Sequence, residues 1–226
     1  MAETSVPTGP AGPAGLTRAA EEAAFYHEAG LNAAWTGVRL AIGGLSFGFG
    51  AFVFAFFYLR SLNSHGLWHP AGFTGPHLWF GTLIMGLVVV SAAVQTLVLQ
   101  RIKAGHKNAW LGGAAVALVL GLAAVGLQVA ELLTLPFFPG ASGFASVFTG
   151  FYPVYLVIAL AAMIWLEILI MRCRPILEIS FVEQPPTYAE AFAVQRFQAS
   201  LSAFTVLWNY LAAVAVIAWV LFYLVH

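Results

Sequence analysis

Polar positions are scarce along this chain and fall in blocks. Between them lie five apolar runs, each near or above the ~20 residues that cross a bilayer core. They cover about residues 35–59, 77–99, 110–135, 144–171 and 201–225. The pattern predicts an all-α membrane domain over residues 31–226, a bundle of five transmembrane helices. Ahead of it, residues 17–30 read TRAAEEAAFYHEAG, with Glu21, Glu22, His27 and Glu28 set against Ala19, Ala23, Phe25 and Tyr26. That alternation predicts a short amphipathic helix lying along the surface and closed by Gly30. Residues 1–17 are mostly Pro, Gly, Ala, Ser and Thr with one acid and no apolar run, and are expected to be a mobile tail. They lack the basic stretch and apolar core of a signal peptide. Residues 187–200, TYAEAFAVQRFQAS, read as a surface helix or an extension leading into the last span.

Composition sharpens the class. Hydrophobic residues make up 61% and charged residues 8%, and the mean hydropathy is +0.89. A soluble domain carries about a quarter of its residues charged, so this is an integral membrane protein. Basic and acidic residues balance at nine each, so net charge points to no nucleic acid. Their placement does carry information, because Lys and Arg collect on the cytoplasmic side. Arg101, Lys103 and Lys107 lie between the second and third runs, and Arg172, Arg174 and Arg196 between the fourth and fifth. Residues 61–76 and 135–143 hold no Lys or Arg. The expected topology is therefore N-terminus inside and C-terminus outside.

A few side chains depart from the apolar background. Glu131, at the end of the third run, costs a few kcal/mol in a membrane unless it has a partner or a job. Ser91, Gln95 and Thr96 form a polar patch in the second span, and Gln128 of the third is the candidate to meet it, as interhelical glue. Glu167 is expected to snorkel toward, or pair with, Arg172 and Arg174. Gly44 and Gly48, four apart in the first span, are expected to admit a close helix within the bundle. Trp219, Phe222 and Tyr223 suggest an outer interfacial belt. Asn209 is the one strong polar group in the apolar body of the last span.

The inventory offers little catalytic chemistry. His27, His65, His69, His106 and His226 lie in tails or loops and His77 at a span boundary, so no histidine sits mid-membrane to hold haem or copper. His65 and His69 share an i,i+4 spacing, but Gly66 and Pro70 argue against the helix that would aim both at one metal. Cys173 stands alone between Arg172 and Arg174, as an incidental thiol. No phosphate loop, activated nucleophile or paired carboxylates are present. The expectation is that this chain binds no metal and no redox cofactor.

The stretch 121–155, GLAAVGLQVAELLTLPFFPGASGFASVFTGFYPVY, resembles the middle of subunit III of the haem-copper oxidases, the cytochrome c oxidase family. That family has a Gln and a Glu three apart, a Pro five residues after the Glu, an outer loop and then T-G-F-H-G-x-H. Here Gln128, Glu131, Pro136 and Thr149-Gly150-Phe151 stand at those intervals. Ala55-Phe56-Phe57-Tyr58-Leu59-Arg60 is similar to the family's A-Y-F-Y-L-R, and Trp208-Asn209-Tyr210 falls where W-H-F is usual. The resemblance covers residues 32–225 and implies a short, five-helix bacterial member with the topology given above.

The resemblance also has departures. Tyr152 and Tyr155 replace the two histidines, Pro153 replaces a Gly, Leu45 beside Ser46 replaces an acid, and Asn209 and Ala212 replace a His and an Asp. Roles attached to those groups do not transfer. What transfers is polar support of the bundle and its lipid cleft by Gln95, Gln128, Glu131 and Thr149, with Gly44, Gly48 and Gly150 as packing positions. The resemblance implies partnership with catalytic subunit I and subunit II, which would carry the haem and copper. It also implies bound phospholipid and residence in a bacterial cytoplasmic membrane. Two alternatives stay open: the related accessory protein of nitric oxide reductases, and a small membrane transporter.

Overall fold

The computed structural model describes residues 13–63, 66–69, 72–181 and 187–225. It contains five long helices: α1 (Pro13–Ser61), α2 (Leu78–Lys103), α3 (Lys107–Leu133), α4 (Gly143–Cys173) and α5 (Tyr188–Trp219). A short 3₁₀ turn spans Glu178–Phe181, and α5 ends in a π-turn over Val220–Leu224. All five helices contain stretches long and apolar enough to cross a membrane, and the described residues form no strand.

Neighbouring side chains give the directions. Ser46 meets Tyr210 and Phe56 packs on Phe222, so α1 and α5 advance together. Ser91 meets Ala117, and Val98 abuts Gly113, so α2 and α3 are antiparallel. They are joined by a three-residue turn in which Gly105 takes φ +86°, while the N–H of His106 donates to Arg101 O and that of Gly105 to Ile102 O. This 6→1 and 5→2 pair is a Schellman ending, and it needs a residue without a Cβ at the left-handed position. At the same end of the bundle, the Lys107 ammonium donates to the carbonyls of Arg174 and Ile176. It thereby serves carbonyls at and just beyond the end of α4, where the helical ladder supplies no donors. Asn108 Nδ2 donates to Glu178 Oε2 at 3.2 Å. At the opposite end, Gly143 N donates to Leu67 O, and Ser142 caps α4 by accepting from Ala145 N.

Several expectations change here. The amphipathic segment is not a separate helix closed by Gly30, because α1 runs through it without a break. A glycine inside a helix costs about 1 kcal/mol and does not by itself stop it. Its missing side chain instead admits the Phe192 ring of α5, whose Cζ would lie 3.1 Å from an added Cβ. Residues 187–200 are accordingly an extension, the first turns of α5. Of the expected tail, residues 13–17 are helical and residues 1–12 lie outside the described residues.

The glycine stripe is likewise reassigned. Gly44 and Gly48 are exposed and face open space, so no helix of this bundle packs on them. Close approach within the chain uses other glycines: Gly81 under Tyr223, Gly113 under Val98, Gly121 under Met163 and Gly150 under Phe52. We therefore expect Gly48→Leu to be neutral or stabilising by up to about 1 kcal/mol, as for any helix-interior glycine that meets no neighbour, read as an unchanged or higher thermal midpoint of the isolated chain in detergent.

The core is layered by residue type. Around the end of the bundle carrying Glu131 it is aromatic: Phe56, Trp68, Phe144, Phe148, Phe151 and Phe222 are all buried. Their rings meet largely edge to face, at centroid distances such as 5.0 Å for Phe56–Trp68 and 5.6 Å for Phe56–Phe222. Such pairs add about 0.5–1.5 kcal/mol each beyond burial. Pro153 sits inside α4, exposed, where the donor it removes would have served Thr149 O.

Candidate functional site

Glu131, on the last turn of α3, is 3% exposed. Its Oε1 accepts a hydrogen bond of 2.6 Å from the Tyr223 hydroxyl. The two residues are 92 apart in sequence, and Tyr223 lies in the π-turn at the end of α5. Gly81 on α2 leaves room for the Tyr223 ring, and Phe148 and Tyr152 of α4 pack beside it, with centroids 6.1 and 6.4 Å away. Tyr155, one turn further along α4, donates to Leu211 O at 3.1 Å. Four helices therefore meet around one carboxyl group.

Gln128, one turn before Glu131, is 1% exposed and borders a void of about 10 Å³ together with Gly81, Tyr152, Tyr155 and Tyr223. Its Nε2 has no hydrogen-bond partner in the protein. The expected meeting of Gln128 with the α2 patch does not occur. Ser91 is level with Ala117, so antiparallel packing places Gln128 about 16 Å further along the axis, at 1.5 Å per residue. Glu131 in turn takes its hydrogen bond from Tyr223, which borders the same void as Gln128.

The α2 patch bonds to the α3 backbone and to α5 instead. Ser91 donates to Ala117 O at 2.7 Å and accepts from Trp208 Nε1 at 3.1 Å. Asn209 Nδ2 donates to Thr96 Oγ1 at 2.9 Å, and Trp219 Nε1 to Thr82 Oγ1 at 3.1 Å. Bonds of this kind average about 0.6 kcal/mol in membranes, so together they fix the register of α2 on α5 more than they drive assembly. Gln95 is fully buried and neither of its amide atoms is paired. An unpaired buried amide costs about 1–3 kcal/mol, which a near-isosteric apolar side chain avoids. Gln95→Met is expected to raise stability by about 1 kcal/mol, read as a higher thermal midpoint.

The other candidates are dispersed. Thr149 is half-buried and its hydroxyl donates to Ala145 O of its own helix, so it does not reach Glu131. Glu167 is exposed on α4. Phe222 and Tyr223 are buried rather than interfacial, while Trp219 is half-buried. His65 lies outside the described residues, and His69 stacks on Phe73 with centroids 5.0 Å apart. Among the described residues no three His, Cys, Asp or Glu side chains gather as a metal site. A second, larger crevice of about 250 Å³ lies between α1, α4 and α5, with Phe49, Phe52 and Phe222 on its walls and the Ser46–Tyr210 hydroxyl pair at 3.0 Å.

Sequence reasoning missed Tyr223 and Gly81. The spacing of Tyr223 from the chain end resembles an aromatic belt, and a single glycine in a span carries no pattern. No protein-family profile matches the chain, and no curated protein matches it at a significant level. The described residues form five membrane-length helices, four of which surround a buried Glu131–Tyr223 pair.

Proposed function

We propose that this chain is a non-catalytic subunit III of a haem-copper terminal oxidase. The observation that supports the reading is convergence. Gln128 and Glu131 on α3, and the Thr149-Gly150-Phe151 run on α4, are the two halves of the resemblance, and Gln128 and Phe151 border one void beside the Glu131–Tyr223 pair. A buried acid held by hydrogen bonds between helices suits support of a bundle, and the apolar lining of the 250 Å³ crevice suits the acyl chain of a bound phospholipid. On this reading the chain packs against catalytic subunit I and subunit II, which carry haem and copper. It holds lipid and sustains proton uptake and stability during turnover. It lies in a bacterial cytoplasmic membrane with the Lys107–Arg174 end inside, hence N-terminus in and C-terminus out.

The test is gentle purification of the tagged full-length chain from its native membrane. Co-elution with a haem-containing subunit that reduces oxygen is the expected result. Recovery of the chain at high yield with no haem protein overturns the proposal, and a partner that reduces nitric oxide but not oxygen moves the chain to the accessory proteins of that reductase.

A further inference from the structure

We infer that one buried water is bound between α3, α4 and the π-turn, held by the Gln128 amide and the Tyr152 hydroxyl beside the Glu131–Tyr223 pair. The Gln128 side chain is almost wholly enclosed, and its Nε2 has no partner within the protein. It borders a void of about 10 Å³. That is the space one water requires and is far below what an acyl chain or an organic ligand needs.

A buried water also requires two to four polar partners, and the walls supply them. Gln128 offers an N–H. The Tyr152 hydroxyl is committed to no backbone carbonyl, unlike that of Tyr155, which donates to Leu211 O. Tyr223 donates to Glu131 and keeps lone pairs free to accept. With the water in place, Glu131, Tyr223, Tyr152 and Gln128 form one hydrogen-bonded chain tying α3, α4 and the end of α5 together. The competing arrangement has the Gln128 amide pressed against aromatic faces with no bridge. The two differ in the sign of what removing the amide does.

The experiment compares thermal midpoints of the purified chain in detergent for wild type, Gln128→Leu, Tyr152→Phe and the double variant. With a bridging water, each single change lowers the midpoint by roughly 2–4 °C, the shift of about one lost hydrogen bond in a chain of this size. The double variant is then no lower than the worse single, because both remove the same bridge. A Gln128→Leu midpoint at or above wild type, or two effects that simply add, overturns the inference. If Gln128→Leu yields no folded chain, a density map of the unmodified protein fine enough to show ordered waters decides it. A peak within hydrogen-bond reach of both Gln128 Nε2 and the Tyr152 hydroxyl supports the site, and none there overturns it.

Discussion

Glu131→Ala is expected to destabilise the chain by about 3 kcal/mol, from two losses of known size. The Tyr223 hydroxyl would be left buried without its acceptor, which costs about 1–3 kcal/mol. The vacated carboxymethyl space beside Tyr223 would add a cavity penalty, since packed surroundings relax only in part. Glu131→Gln keeps an oxygen in place and should cost about 1 kcal/mol or less.

The control that isolates the pair is Glu131→Leu combined with Tyr223→Phe. Replacing both partners by apolar groups leaves nothing unsatisfied, so the double variant should be more stable than Glu131→Leu alone. Midpoints in detergent test the series, and a double variant below both singles would mean that the pair contributes something other than mutual satisfaction. In the assembled oxidase proposed above, the same reasoning places the effect on yield. Glu131→Ala should reduce the amount of complex recovered while the complexes that do form keep their turnover. Normal yield with abolished turnover would contradict a supporting role.

The five membrane-length helices were legible in the sequence because a bilayer imposes them: over about 30 Å the backbone must bond to itself as a helix and the side chains must suit lipid, which leaves apolar runs of about 20 residues. The paired polar groups were not. Gln128 and the Ser91–Gln95–Thr96 patch looked complementary, but partnership depends on axial register, which is set by how α2 and α3 are joined at Gly105 and by the small residues between them. Glu131 announced itself as an anomaly, whereas its partner did not. Tyr223 belongs to an aromatic run near a membrane boundary, where such residues ordinarily face lipid, and here it is buried against Glu131. Glycine misled for a related reason. The spaced pair Gly44 and Gly48 faces outward, while the unpatterned Gly81, Gly113 and Gly121 sit under neighbouring side chains. Spacing reveals a smooth helix face but not what lies against it.

Gly81 carries the second large effect, and it acts through the same carboxyl group. A Cβ at this position would fall on the Cζ and both Cε atoms of the Tyr223 ring. Such a clash is cheap when the obstructing atoms belong to a free side-chain end, but this end is tethered. Its hydroxyl is bound to Glu131 at 2.6 Å, and Phe148 and Tyr152 pack alongside the ring. Gly81→Ala must therefore displace the ring and lengthen or break the Glu131 bond, an overpacking cost of about 2–3 kcal/mol. Gly86, five residues on in the same helix, meets nothing within 4 Å, so Gly86→Ala should be neutral or stabilising by up to about 1 kcal/mol from helix propensity. The decisive comparison is made in a Tyr223→Ala background. If the clash and the lost bond account for the damage, Gly81→Ala should cost little there, giving strong non-additivity between the two sites. An undiminished effect would place the damage elsewhere on α2 and detach Gly81 from the Glu131–Tyr223 pair.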